Sequence, residues 1–509
     1  MARQPNILMF MMDQLAPQVL GAYGGKVCRT PNISRMADAG VVFENAYCNY
    51  PICAPARFAL MSGRLPSRIA AYDNATEFPS EVPTFAHYLR DAGYHTCLSG
   101  KMHFVGADQL HGFEDRVTTD VYPADFTWTT DWSLSAETWF PWYHSMRGVL
   151  DAGPWRRSVN TEYDQEVSTE AARWLHDHAD TAGERPFFLA TSFISPHDPY
   201  LAPQRYWDMY RDEEIDDPIV GDIPVEERDP HSRRLYYTTG RHMDEVSPAA
   251  IRRMRRAYYA VMTWVDDRIG EVLAALEAIG QADNTIIVLT GDHGDFLGER
   301  GLFYKMSFHE FSARVPMIVH APGRFRPGRV GNNVSLIDLM PTFLEWGGNG
   351  TMPELLGPVD GTSLNGLLEG DRHGWPDTAF GEYAAEGSLW PLFMVRKGRY
   401  KYIYGEEDPP LLYDLEADPH EIVNLAGDAD HAQAESHLRE EVFRQWDPRA
   451  LRETIWQSQR RRLWLGKVLT TGKRTRWDWQ PGRDAGQQYV RAVEDVQGIY
   501  STEWSDQKR

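Results

Sequence analysis

Asn6-Ile7-Leu8-Met9-Phe10-Met11-Met12-Asp13-Gln14 is the stretch that decides the fold. An uncharged, near-continuous apolar run closed by an acid and an amide predicts a strand buried on both faces that delivers polar groups at its carboxyl end. The pattern returns along the chain. Tyr94 to Ser99 predicts a strand presenting Gly100-Lys101-Met102-His103, Pro186 to Ser195 one ending at Pro196-His197-Asp198, and Thr285 to Thr290 one delivering Gly291-Asp292-His293-Gly294-Asp295. Helical signals lie between these runs. Thr30-Pro31 opens a short helix closed by Gly40, and Gly93 stops another over Thr84 to Asp91. Ser247-Pro248 starts a long one, with Ile251, Met254, Tyr258, Val261, Val265, Ile269, Val272 and Leu276 on one side and Gly280 as its stop. The expected fold class is α/β, a mostly parallel central sheet with helices on both faces. In such sheets ligands gather outside the carboxyl ends of the strands, where all these polar groups emerge.

After about residue 370 the pattern changes to short alternating segments, Leu392 to Val395, Tyr400 to Tyr404 and Leu411 to Leu415. These predict a smaller antiparallel sheet, followed by a helix from about Ala432 to Gln445. The expected organisation is a catalytic α/β domain over 1–370, a C-terminal α+β subdomain over 371–446, and a tail over 447–509. That tail is rich in arginine and tryptophan and reads as an oligomerisation arm lying on an acidic neighbouring subunit.

The 509 residues suffice for a large domain and a smaller one, each with its own core. A formal net charge of −21 argues against nonspecific nucleic-acid binding, Arg460-Arg461-Arg462-Leu463-Trp464 notwithstanding. Cys28, Cys48, Cys53 and Cys97 are too few for a disulfide framework in so long a chain. The apolar run Ile7 to Met12 is too short to span a membrane, and no signal-peptide cleavage region accompanies it. A soluble cytoplasmic enzyme without membrane attachment is expected.

Pro51-Ile52-Cys53-Ala54-Pro55-Ala56-Arg57, continuing Phe58-Ala59-Leu60-Met61-Ser62-Gly63-Arg64, fits a C-x-P-x-R pattern. In this it resembles the type I sulfatases of the alkaline phosphatase superfamily. The resemblance implies that a formylglycine-generating maturation enzyme oxidises Cys53 to formylglycine. The hydrated aldehyde of such a residue carries two hydroxyls on one carbon: one attacks the sulfur, and deprotonation of the other expels sulfate. It also implies one divalent metal ion per subunit, held by Asp13, Gln14, Asp292, His293 and an oxygen of modified Cys53. Calcium leads for such an oxygen-rich site, with magnesium or manganese as rivals. Many relatives carry aspartate where Gln14 stands and asparagine where His293 stands, so this site bears less negative charge. Ala56 and Ser62 also depart from the commoner serine and threonine. By resemblance Arg57 holds the hydrated aldehyde or its alkoxide, Lys101 and His103 contact the gem-diol and sulfate with His103 as base, and His197 with Lys305 binds sulfate oxygens and protonates the leaving alcohol.

Three further segments, Cys97 to Gly106, Thr119 to Phe126 and Trp477 to Pro481, resemble the choline-sulfate-hydrolysing branch of that family. The resemblance implies a homo-oligomer, dimer or tetramer, whose tail reaches a neighbouring subunit. It implies an alcohol pocket lined by Trp128 and His144, with Asn74 and Glu386 nearby and Asp495 from the tail. A quaternary ammonium donates no hydrogen bond and must be held by aromatic faces and diffuse negative charge, and Trp128, Trp132, Trp139, Phe140, Trp142, Tyr143 and Trp155 crowd one segment. Each residue alone has an ordinary reading: Asp13 as a strand-end cap, the Gly291 to Gly294 run as a turn, a lysine as a solvated charge, most of the aromatics as packing. Two rivals stand beside hydrolysis of a small sulfate ester: a phosphonate monoester or phosphodiester hydrolase of the same superfamily, and a catalytically silent binding or assembly protein with this fold.

Overall fold

The computed structural model describes residues 4–139, 144–181, 185–211 and 215–472. In chain order the strands are β1 (Asn6–Met12), β2 (Val41–Tyr47), β3 (His95–Gly100), β4 (Asp115–Arg116), β5 (Gly153–Trp155), β6 (Phe187–Phe193), β7 (Leu201–Pro203), β8 (Thr285–Gly291), β9 (Arg314–His320), β10 (Gly328–Ser335), β11 (Thr378–Tyr383), β12 (Leu392–Lys397), β13 (Tyr400–Gly405) and β14 (Leu411–Asp414). The central sheet has the order β10-β2-β9-β8-β1-β6-β3-β4. Every pairing in it is parallel except those made by β9, which runs antiparallel to both β2 and β8. The expectation of a mostly parallel sheet with helices on both faces therefore holds.

β1 lies between β6 and β8 because it is apolar on both faces: all seven of its residues are buried, as are all seven of each neighbour. Parallel register then fixes the site. Met12 pairs with Phe193 on one side and Gly291 on the other, so Asp13, Ile194 and Asp292 leave the sheet side by side. β3, next to β6, ends at Gly100 opposite Ser192. A Cβ on Gly100 would stand 1.9 Å from the Ser192 carbonyl oxygen at a φ of +113°, so only glycine lets Lys101 leave the sheet so close to its neighbour.

Among the helices, Pro31–Asp38, Val159–Thr181 and Pro248–Ala278 form one packed group, and Cys53–Ser62, Phe85–Asp91 and Leu339–Gly347 another. Cys53–Ser62 is buried over its whole length and stops at Gly63, which takes the left-handed conformation. The long helix keeps the expected face, Met254, Tyr258, Val261, Val265, Ile269, Val272 and Leu276 being buried and Ile251 half-buried.

β11 to β14 form a separate antiparallel sheet in that order, covered by the helix Ala432–Gln445. Its core of Phe393, Val395, Tyr402, Leu412, Leu438, Val442 and Trp446 also takes in Ala59, Leu65 and Ile337 of the larger unit. The last helix, Pro448–Leu469, opens on Asp447, whose side chain accepts from the Ala450 amide. Tail residues 473–509, including Trp477 to Pro481, lie outside the described residues.

Candidate active site

Asp13, Cys53, Asp292 and His293 are fully buried, and each offers a ligand atom within 4.8 Å of the others. Cys53 Sγ lies 3.3 Å from His293 Nε2 and 3.7 Å from Asp13 Oδ1, and His293 Nε2 is 3.7 Å from an oxygen of each aspartate. Sγ here stands where the oxygens of an oxidised residue 53 would be.

Arg57, one turn into the same helix, organises this group. Its guanidinium gives Nη2 to Asp13 Oδ2 at 3.0 Å and Nε to Asp292 Oδ2 at 2.8 Å, while Nη1 donates to Ser192 Oγ at 2.9 Å and the Lys101 carbonyl at 2.5 Å. All three charged side chains have no solvent exposure. The fork binds one oxygen of each carboxylate and leaves the other, Oδ1, facing the cluster. Lys101 Nζ also bonds Asp13 Oδ2. Burial would raise the Asp13 carboxyl, but Lys101, with Arg57, outweighs it and holds it well below the usual range.

Gln14 leaves β1 at a φ of +64°. Its amide nitrogen donates to Asp295 Oδ2 at 2.6 Å and its amide oxygen accepts from Lys305 Nζ at 2.7 Å, so it stands beside the four-residue cluster with a cation on its oxygen. Lys305 Nζ is also 2.6 Å from His197 Nε2. His197 Nδ1 lies 2.7 Å from the Asp198 carbonyl oxygen, which only accepts; Nδ1 therefore carries the proton and Nε2 receives the Lys305 ammonium. Burial and then Lys305 push the His197 ring down to about 3, so it is neutral.

His103, at a φ of +59°, is held through its amide by Asp120, and neither ring nitrogen has a hydrogen-bond partner among the described residues. Burial, then Lys101, lowers its pKa well below the ordinary range, so the ring is neutral. The ring touches Tyr122 at 5.0 Å and Trp128 at 5.7 Å between centroids, and Tyr122 packs on Trp128 at 4.9 Å. Lys101 Nζ lies over the Tyr122 ring at 4.0 Å. The aromatic wall thus abuts the charged floor directly.

The other expected alcohol-side residues fall around this wall. His144 stacks on Tyr304 at 4.3 Å and lies 3.8 Å from Asp198. Asn74 Oδ1 accepts from the Ala54 amide at 3.0 Å, beside Cys53. Glu386 is buried; burial, then Asp73, raises its carboxyl to about 8. Trp155 is half exposed on β5, away from any of these contacts, while Phe140, Trp142, Tyr143 and Asp495 lie outside the described residues. Sequence reasoning missed Ser192, Tyr122, Asp198, Asp295 and Tyr200, whose hydroxyl donates to Asp295 Oδ2 at 2.7 Å. Asp198, Asp295 and Tyr122 sat inside segments singled out above and could have been found; Ser192 and Tyr200 carry no such signal.

A buried set of carboxylate oxygens and an imidazole nitrogen at the ends of parallel strands, with the cations Arg57, Lys101 and Lys305 beside it, fits a divalent ion together with an anionic substrate. The "Sulfatase" family profile matches residues 5–349, that of "N-sulphoglucosamine sulphohydrolase, C-terminal" 298–447, and that of "Choline sulfatase enzyme C terminal" 453–498. The chain belongs to the sulfatase family and is a sulfuric ester hydrolase. It is 42% identical over 96% of its length, and 96% of the relative's, to a choline-sulfatase of Rhizobium meliloti. Among solved structures, a complex titled with its substrate D-glucosamine-2-N,6-O-disulfate matches with a TM-score of 0.70 at 24% identity, over 88% of this chain and 99% of that one. The phosphonate monoester hydrolase of Agrobacterium radiobacter matches with a TM-score of 0.68 at 22% identity, over 89% and 96%.

Proposed function

We propose that the chain hydrolyses choline-O-sulfate to choline and sulfate, with formylglycine made from Cys53 as nucleophile. The observation that carries the choline assignment is the contact of Trp128 and Tyr122 with the His103 ring, which sets aromatic faces directly beside the sulfuryl site. Similarity to a choline-sulfatase along nearly the whole chain supports the same reading.

Asp13, Asp292, His293 and an oxygen of modified residue 53 would hold one divalent ion, calcium first and manganese or magnesium as alternatives, with Gln14 next to them. When bound, that ion supplies positive charge for the sulfate oxygens and lowers the proton affinity of the nucleophile. Arg57 keeps the two carboxylates aligned. Lys101 and Lys305 neutralise the ester's charge, and the Lys305–His197 pair gives a proton to the departing alcohol oxygen. His103 takes the proton whose loss expels sulfate. Four free cysteines, and no described helix long and apolar enough to cross a membrane, suit a cytoplasmic enzyme. A formylglycine-generating enzyme is its required partner, and we assign the tail to assembly of a homo-oligomer.

The test is a substrate panel on fully matured enzyme. Choline sulfate should exceed a neutral aryl sulfate and a phenyl phosphonate ester in kcat/KM; a phosphonate preference would transfer the reading to the phosphonate hydrolases. Intact mass should show residue 53 lightened by loss of sulfur, and an unmodified, inactive chain from a host containing the maturation enzyme would leave a silent relative. Chelation should stop turnover, and the divalent ion that best restores it identifies the metal.

A further inference from the structure

The three segments that carry Asn74, Trp128 and Glu386 are loops or single turns, and no ladder of strand hydrogen bonds positions them. All three meet the last helix, Pro448–Leu469, on one face. Ile455, Gln459 and Arg462, spaced four and three apart, are its buried residues beyond the first turn. Ile455 packs with Tyr72 and Ala384, and Trp132 lies against them. Gln459 Oε1 accepts from the Trp132 amide at 3.1 Å. Arg462 Nη1 donates to Asp73 Oδ1 at 2.6 Å, an ion pair joining side chains 6% and 0% exposed across 389 residues of chain.

Asp73 passes this on. Its Oδ2 accepts from the Thr130 amide at 3.2 Å and its Oδ1 from the Ala75 amide at 3.0 Å, so one carboxylate ties the turn bearing Asn74 to the segment following Trp128. It is also the charge that, after burial, raises the Glu386 carboxyl most. The hydrogen bonds given above for Asp13, Arg57, Lys101, Asp292 and Lys305 go to residues outside this helix. The helix lies largely within the segment that the choline-sulfatase C-terminal profile matches.

We infer that Arg462 is a positioning residue for the alcohol side of the site: through Asp73, and with Gln459 and Ile455, it sets where Asn74, Trp128 and Glu386 stand and so sets affinity for the cationic alcohol. The inference rests on the choline-sulfate reading. Breaking a buried pair leaves a charge without its partner, and the loop carrying that charge must move to hydrate it. The groups that handle sulfate, anchored on strand ends, stay in place.

Wild type, Arg462→Met and Arg462→Lys are compared as full-length matured enzymes with equal Cys53 conversion by mass. Arg462→Met should raise KM for choline sulfate about tenfold while kcat, and KM for nitrophenyl sulfate, stay within about threefold; Arg462→Lys should recover most of the loss. A folded Arg462→Met with unchanged KM, or one that loses kcat equally on both esters, overturns the inference. Should wild type show no preference for choline sulfate, the functional reading fails instead, and the same KM-against-kcat split on the faster ester still decides the role of Arg462. If Arg462→Met does not accumulate folded, Gln459→Leu, which removes only the acceptor for the Trp132 amide, carries the measurement.

Discussion

The sulfuryl side and the alcohol side of the site are built in different ways. Asp13, Lys101 and Asp292 follow directly from neighbouring strands, and Arg57 binds all three within a region closed to solvent. Trp128, Asn74, His144 and Glu386 come from loops, and the helix that ties several of them together begins 62 residues beyond Glu386. These strand ends tolerate little displacement, because the amides of Asp13 and Lys101 are still bonded across the sheet to the Phe193 and Ser192 carbonyls. Loops braced by a distant helix can be re-aimed without disturbing the sheet. The contrast fits a family in which one chemistry serves many alcohols.

The largest effect should come from the sulfuryl side. Cys53→Ala should lower kcat by about a thousandfold or more while the thermal midpoint stays near that of the parent, since a small buried side chain is exchanged for another. Undiminished turnover would reject residue 53 as nucleophile. Arg57→Met removes a guanidinium that pairs two buried carboxylates and should cost about 3–5 kcal/mol of stability in metal-free protein, read by denaturant titration. A much smaller cost would mean that water reaches the carboxylates and that the two sides differ less than the geometry indicates.

On the alcohol side the losses should be smaller and confined to KM. Trp128→Ala should raise KM for choline sulfate about tenfold, against about twofold for a neutral aryl sulfate, because only the former loses attraction between cation and ring. Equal losses would place the ammonium elsewhere.

The mildest test is pH. Glu386, raised to about 8 by burial and then by Asp73, with Thr130 and Lys305 pulling the other way, is protonated at neutral pH. Its folded pKa exceeds its unfolded one, so its contribution to stability is full below the unfolded value and is lost as pH rises through about 8. The carboxylate formed there attracts the ammonium. KM for choline sulfate should therefore fall severalfold between about pH 7 and about pH 9, and Glu386→Gln should flatten that profile relative to the parent enzyme. A parallel profile in the variant would remove Glu386 from the pocket.

Much of this was legible in the chain. β1, β3, β6 and β8 and their polar ends could be read because strands buried on both faces must be apolar throughout, and that pattern survives without any partner in view. The helix over Ala432 to Gln445 and β12 to β14 were found within a few residues. β2, β4, β5, β7, β9, β10 and β11 were missed. β10, Gly328–Ser335, is glycine- and asparagine-rich with an exposed beginning, and it becomes a strand only because β2 supplies its ladder. The arginine-rich tail was read as an arm for another subunit. As far as it is described, its helix lies on its own chain through Ile455, Gln459 and Arg462.

The sequence by itself determined which residues could do chemistry: an oxidisable Cys53 with Pro55 and Arg57 behind it, and acids, lysines and histidines placed just after apolar runs. These are local properties, carried by residue type and spacing. The tertiary structure alone decided that Arg57 spans Asp13 and Asp292, that Tyr122 roofs Lys101, and that Asp73 meets Arg462. Those partners lie tens to hundreds of residues apart, and only the register of parallel strands and the packing of the last helix bring a given pair of side chains to one place.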